Sequence, residues 1–118
     1  MKINRKNAFR LWEERYGKKT VVKDFHGNWM YKEGYGNPHY RVRRFGKLVY
    51  GGWNLHHILP ASCGGTNEET NLICTNIRTN QAAQNKITYW VDNSLYQVKH
   101  GEKKGSYEIK RLQRARGK

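Results

Sequence analysis

The chain has 118 residues, enough for one domain around one modest core. Its 23 Lys and Arg residues against 9 Asp and Glu residues give a formal net charge of +14, an excess that favours a polyanionic partner such as nucleic acid or the ribosome. The basic residues are spread along the chain and not gathered on one amphipathic helix, so the charge does not indicate a membrane surface.

The chain carries no sequence signal for export. No apolar run approaches the length of a membrane span, and residues 1–5 lead into charged sequence without a signal-peptide core. We therefore expect a cytoplasmic protein that is not secreted. Cys63 and Cys74 are the two cysteines, and neither belongs to a C-x-x-C pair. We expect no disulfide and no structural zinc.

Residues 6–16 have the apolar spacing of an amphipathic helix. Phe9, Trp12 and Tyr16 stand at i, i+3 and i+7, with charged side chains between them. Gly17 is a typical helix stop. We predict a helix that packs against the core and takes no part in chemistry.

Short β-rich segments flank turn residues at three places, which predicts three hairpins. The first turn is at residues 26–28, the second at 45–47 and the third at 92–94. Residues 107–109 favour one further strand, which completes a C-terminal β extension over residues 87–110. Residues 111–118 are rich in Lys and Arg, and we predict a disordered or induced-fit basic tail there.

The second hairpin carries a cluster of arginines. Strand alternation puts Arg41 and Arg43 on one face and Arg44 on the other. Guanidinium groups pair well with phosphates, so all three are candidate nucleic-acid contacts, and a merely solvated strand face is the alternative.

The centre of the chain has the most specific pattern. Residues 53–60, Trp-Asn-Leu-His-His-Ile-Leu-Pro, are followed by Gly64-Gly65, by Asn71 and by Asn80. The order of apolar and polar segments predicts strand, loop, strand and helix, with the two adjacent histidines on opposite faces of the first strand.

The spacings within this segment are 14 residues from His57 to Asn71 and 9 residues from Asn71 to Asn80 (71 − 57 and 80 − 71). Residues 53–86 resemble the HNH (ββα-metal) endonuclease family in its H-N-N form, of the small phage or bacterial type. The resemblance implies an α+β fold with a ββα-metal (His-Me finger) core, an N-terminal helix and flanking hairpins. Residues 1–110 would form this single nuclease domain.

By this resemblance, the chain is a metal-dependent endonuclease that hydrolyses DNA phosphodiester bonds, by nicking or double-strand cleavage. His57 would be the general base, and Asn71 would orient it. His56 and Asn80 would bind one divalent metal ion. Most members have Asp where this chain has His56, and imidazole suits Mn, Ni, Co or Zn better than Mg. We expect Mg²⁺ as the physiological ion, with the other four as alternatives.

The expected partner is DNA, with RNA as an alternative, and the chain would act as a monomer or homodimer in a bacterial or phage-infected cell. Arg78 and Lys86, at the two ends of the predicted helix, are further candidate phosphate contacts. Gln84, one turn beyond Asn80, is a weaker metal contact. Two other functions stay open: a catalytically inactive DNA- or RNA-binding module on the same scaffold, and a ribosome-associated structural protein. His26, His39 and His100 match no motif and are expected to be surface or packing residues.

Overall fold

The computed structural model describes residues 1–114, which form an α+β fold of two α-helices and small antiparallel sheets. The helices are α1 (Arg5–Tyr16) and α2 (Ile77–Ala83). The strands are β1 (Val21–Lys23), β2 (Trp29–Tyr31), β3 (Arg41–Arg44), β4 (Lys47–Tyr50), β5 (Trp53–His57), β6 (Leu72–Asn76), β7 (Thr88–Val91), β8 (Ser94–His100) and β9 (Tyr107–Arg114). Among these residues, neither helix is long and apolar enough to cross a membrane.

Helix α1 confirms the prediction for residues 6–16. It begins one residue earlier, because the Asn4 side chain accepts a hydrogen bond from the Asn7 backbone N–H at 2.9 Å and caps the first turn. It ends at Gly17, whose φ of 65° lies in the left-handed region that glycine tolerates best. Its Trp12 is fully buried, with its ring centroid 4.8 Å from that of Trp53.

Two apolar clusters hold the fold together. The larger one is built on α1, β2, β5 and β6, and its buried members are Ala8, Trp12, Met30, Trp53, Leu55, Leu72 and Cys74. The smaller one lies where α2 meets the C-terminal sheet, and its buried members are Ala83, Tyr89, Val91 and Tyr96. Aromatic rings supply much of this buried area, which lets a short chain with few aliphatic residues form a core.

The three predicted hairpins are confirmed as β1–β2, β3–β4 and β7–β8. Two-residue turns close the second and third, since Arg44 pairs with Lys47 and Val91 pairs with Ser94. Phe45, Gly46 and Asp92 have positive φ, as two-residue hairpin turns require.

The prediction of a disordered tail from residue 111 is wrong for residues 111–114. These residues belong to β9, which pairs with β8 from His100 opposite Tyr107 to Ser94 opposite Arg114. Strand β8 is seven residues long, and its first three residues pair with Arg114, Gln113 and Arg111. The basic side chains of residues 111–114 therefore lie on a hydrogen-bonded strand. Residues 115–118, the rest of the predicted tail, lie outside the described part of the chain.

The central segment has the predicted order of strand, loop, strand and helix. Strands β5 and β6 are antiparallel, with Trp53 opposite Asn76 and His57 opposite Leu72, and α2 follows β6 directly. Helix α2 ends at Ala83, three residues before its predicted end at Lys86. Gln84 takes a φ of 53° and ends it, so Lys86 lies beyond the helix and not on its last turn.

A buried carboxylate joins the first hairpin to the start of α2, and nothing in the sequence pattern indicates it. One oxygen of Asp24 accepts hydrogen bonds from the backbone N–H groups of His26, Gly27 and Asn28 at 2.9 to 3.0 Å. The other oxygen accepts from the backbone N–H of Asn76 at 3.1 Å. This contact sets where β6 becomes helix.

We expect Asp24→Ala to lower the free energy of unfolding by about 2–4 kcal/mol, because buried N–H donors would lose their charged acceptor. Equilibrium unfolding in urea, followed by tryptophan fluorescence, measures the change. Glu33→Ala is the matched control: it removes an exposed carboxylate with one 3.4 Å contact to Arg5 and should change stability by less than about 0.5 kcal/mol. Equal losses in the two variants would contradict the assigned role of Asp24.

Candidate functional site

Strand β5 presents its side chains alternately to two faces, as the sequence predicts. Asn54 and His56 point to the side covered by α2, where Asn80 contacts both of them. His56 is 5% exposed, whereas its neighbour His57 is only half-buried. The two imidazoles therefore differ in solvent access even though they are adjacent in the chain.

Asn80 links His56 to Asn54 through its carboxamide group. Its Oδ1 lies 2.6 Å from His56 Nδ1, and its Nδ2 donates to Asn54 Oδ1 at 2.7 Å. Asn80 stands one turn inside α2, whose first turn is capped by Asn76 through a 2.8 Å bond from the Arg78 backbone N–H. The cap sets the helix start and thereby the position of Asn80 above the strand.

The environment of His56 favours a neutral ring. Burial lowers its pKa below the ordinary histidine value, the hydrogen bond to Asn80 opposes that shift, and the neighbouring His57 adds to it. A neutral imidazole is the form that binds metal ions, because its ring nitrogen has a free lone pair.

His56 Nδ1 and Asn80 Oδ1 are atom types that can bind a cation, and they share one hydrogen bond of 2.6 Å. Since an amide oxygen only accepts, Nδ1 carries the proton in this contact, and a cation bound between the two atoms would take the place of that proton. In residues 1–114, no three His, Cys, Asp or Glu side chains come together in a way that would hold a metal. A site at His56 would therefore be completed by amide oxygens and water, and its protein ligands would be neutral.

His57 is oriented by a residue that the sequence did not single out. Its Nε2 lies 2.6 Å from Asn67 Oδ1, in the loop between β5 and β6. Since an amide oxygen only accepts, Nε2 carries the proton in this contact and the lone pair of the neutral ring lies on Nδ1. A histidine held in one tautomer in this way can accept a proton at a defined atom.

Asn71 ties that loop to the end of β5. Its Oδ1 accepts from the Leu59 backbone N–H at 2.9 Å, and its Nδ2 donates to the carbonyl oxygens of Leu59 at 3.1 Å and Thr66 at 2.9 Å. A side chain at Gly65 would come within 1.7 Å of the Leu59 carbonyl oxygen, so the loop can close this tightly only with glycine there. Gly65 of the motif thus has a packing reason, whereas Gly64 has a φ of 96°, which favours glycine.

These groups surround one open cleft of about 290 Å³. It is lined by Leu55, His56, His57, Pro60, Ala61, Asn80, Gln84 and Asn85. Gln84, predicted as a weaker contact, does lie at the cleft wall, with a strained backbone that turns the chain there. His56, His57 and Asn80 therefore all line one space large enough for water and a phosphate group.

Comparison with protein-family models, with curated proteins and with solved structures finds no match to this chain.

The predicted nucleic-acid contacts divide into two groups. Arg41, Arg43 and Lys86 are exposed, and so is Arg78, whose guanidinium carbon lies 3.8 Å from the centre of the Tyr50 ring. Arg44 is different, because its guanidinium contacts the Trp29 ring and the Tyr31 hydroxyl and fastens the hairpin to the body of the protein. Its role as a phosphate contact stays a prediction.

The sequence missed two residues of the site. Asn54 stands two positions before His56, so strand alternation could have identified it. Asn67 lies in an irregular loop and gives no periodic signal. Among the remaining histidines, His26 packs between the Tyr96 hydroxyl at 2.7 Å and the Asp92 carboxylate at 2.8 Å, as expected for a packing residue.

The lowered pKa of His56 predicts a stability change with pH. Below about pH 6.5 the unfolded chain takes up a proton at this residue while the folded chain does not, so the free energy of unfolding falls as the pH falls. Urea unfolding between pH 5 and 7.5 measures this change. The free energy of unfolding should depend less steeply on pH in His56→Asn than in the native protein. The exposed His39 is the matched control: His39→Asn should keep the native slope.

Proposed function

We propose that this protein is a metal-dependent HNH endonuclease that hydrolyses DNA phosphodiester bonds, with β5, β6 and α2 as its ββα-metal core. The observation that carries the proposal is the convergence of His56, His57 and Asn80 on one cleft, with His56 and Asn80 in contact at 2.6 Å.

In this proposal His57 is the general base. Its Nδ1 takes a proton from water, the water oxygen forms a bond to phosphorus, and the bond from phosphorus to the 3′ oxygen breaks. The 3′ oxygen leaves with a proton from solvent, so the products are 5′-phosphate and 3′-hydroxyl ends. Asn67 holds the His57 ring in the tautomer that this step needs.

His56 and Asn80 would hold one divalent cation, which would supply electrostatic stabilisation of the negative charge that develops on the phosphate. Their neutral nitrogen and amide-oxygen donors suit Mn²⁺, Ni²⁺, Co²⁺ or Zn²⁺, and suit Mg²⁺ less well. Asn71 acts indirectly, since it fixes the loop that carries Asn67 and follows His57. A single cleft of this kind cuts one strand, so a double-strand break would need a dimer or two events.

The charge distribution supports nucleic acid as the substrate. The net charge is +14, and the exposed Arg41, Arg43 and Arg78 lie on or beside the hairpin next to α2. Phosphate groups are the expected partners of such a surface.

Purified protein should relax supercoiled plasmid in the presence of a divalent metal and leave it intact in EDTA. His57→Ala should lower the cleavage rate by roughly 10²- to 10⁴-fold and leave DNA affinity within a factor of two, because the general base is lost and the binding surface is kept. Gel assays with Mg²⁺, Mn²⁺, Ni²⁺, Co²⁺ and Zn²⁺ measure the rate. His39→Ala, at an exposed position outside the cleft, is the matched control and should cleave at the native rate.

An inactive native protein under all five metals, with DNA binding retained, would contradict the nuclease and leave the catalytically inactive binding module. A native protein that cuts DNA under none of the five metals, does not bind DNA and associates with ribosomes would favour a ribosome-associated structural protein.

DNA affinity should fall steeply with salt, because each phosphate contact releases counterions. Replacing Arg41 and Arg43 together by Ala should reduce the slope of log K against log salt concentration by about two, at roughly 0.9 per contact. Fluorescence anisotropy between 50 and 200 mM salt, as an order-of-magnitude range, measures the slope. Arg10→Ala is the matched control, since Arg10 is already paired with Glu14 and Glu69 and should contribute no phosphate contact.

A further inference from the structure

The β3–β4 hairpin ends in an exposed aromatic residue at an unfavourable backbone position. Phe45 is 81% exposed and has a φ of 53°, followed by Gly46 with a φ of 75°. Turns of this type prefer Asn or Asp before Gly, and a bulky residue with positive φ is strained. The fold therefore keeps a large apolar ring at the tip at some cost in stability and with little burial in return.

One side of the Phe45 ring already has a partner. The guanidinium carbon of Arg44 lies 4.8 Å from the Phe45 ring centre and 4.5 Å from that of Trp29, and Lys23 Nζ lies 4.8 Å from Trp29. These stacked cations and rings extend from the body of the protein to the hairpin tip. The exposure of Phe45 leaves its outer face free, so the series ends on a flat apolar surface.

The flanks of the tip are basic. Residues 41–50 contain three Arg and one Lys and no acidic residue. Arg41 and Arg43 are exposed on one face of the hairpin, and Leu48, 51% exposed, lies opposite Arg43. Cations on both sides of an exposed apolar tip complement DNA, whose phosphates flank its stacked bases.

The base of the hairpin is fixed to the helix that carries Asn80. The Tyr50 carbonyl oxygen accepts from Asn76 Nδ2 at 3.1 Å, and Arg78 stacks on the Tyr50 ring. Lys47 lies three residues along β4 from Tyr50, about 10 Å at roughly 3.3 Å per residue, so the turn stands roughly 10–13 Å from Tyr50, the length of about three to four base pairs. A duplex lying on Arg78 would thus extend along the hairpin to its tip.

From these features we infer that the β3–β4 hairpin enters a groove of duplex DNA and that Phe45 inserts between neighbouring base pairs as an apolar wedge. Arg41 and Arg43 hold the phosphates beside it, and Arg44 supports the ring from behind. Insertion unstacks one base step and bends the duplex, which anchors the DNA against the protein. The inference rests on the nucleic-acid partner of the proposed function and is independent of whether the DNA is cut.

The test uses the full chain in EDTA, so that no cleavage occurs, with duplexes that carry 2-aminopurine at one position at a time. Native protein should raise the fluorescence of 2-aminopurine several-fold at one or two adjacent positions, because that base loses its stacking neighbour. Phe45→Asn should abolish the rise and weaken binding by roughly tenfold or more. Its thermal midpoint should be equal or higher, because Asn-Gly suits this turn.

Two further variants make the test specific. Phe45→Trp should keep the fluorescence rise, since it retains a flat apolar ring. Trp90→Ala removes another exposed aromatic side chain, 47% exposed on β7, and should leave both signal and affinity unchanged.

The inference is overturned if native protein binds duplex DNA without any fluorescence rise, if Phe45→Asn keeps the native rise, or if Trp90→Ala abolishes it. Fluorescence enhancement by a protein that fails to cut plasmid with any metal would uphold the wedge and refute the nuclease. Plasmid cleavage without any rise in 2-aminopurine fluorescence would uphold the nuclease and refute the wedge.

Discussion

The junction at Asn76, where β6 becomes α2, is the point on which the rest of the structure depends. Its backbone N–H is held by Asp24, its Nδ2 donates to the carbonyl oxygens of Trp29 and Tyr50, and its Oδ1 caps the helix. One buried amide thus joins the first hairpin, the arginine-bearing hairpin and the helix of the candidate site. Because buried polar groups are costly when unpaired, each partner restricts the others to one arrangement.

This junction explains why two neutral side chains can meet at the candidate site. The helix starts at a set residue, so Asn80 comes one turn later, over His56 and Asn54. The same junction holds Tyr50, from which the basic hairpin extends. The cleft and the base of the arginine-bearing hairpin are therefore held by contacts of the same residue.

The two histidines differ because of their surroundings and not because of their chemistry. Burial under α2 lowers the pKa of His56 and keeps it in the form that can bind a cation. His57 is half-buried at the mouth of the cleft and contacts Asn67. Neighbouring positions on one strand are thus given separate environments by the alternation of a pleated strand and by a helix that covers one face only.

Local sequence was sufficient for the elements of this fold. The α1 stop at Gly17, the three hairpins and the order of β5, β6 and α2 follow from spacing and turn chemistry, because those preferences act between residues close in the chain. The end of α2 and the length of β9 were predicted wrongly. Helix ends depend on a few backbone angles, and β9 is extended by pairing with β8, which is a contact between segments.

The features of the candidate site likewise divide into those that the local sequence indicates and those that depend on tertiary contacts. From the sequence alone, His56, His57, Asn71 and Asn80 are candidates, through their spacing and their resemblance to a family pattern. Only the tertiary structure decided that Asn80 reaches His56, that Asn67 contacts His57, and that Arg44 stacks on Trp29. Periodicity determines which face a side chain occupies, but distances between elements are set by buried contacts such as those of Asp24 and Asn76, which join residues far apart in the chain.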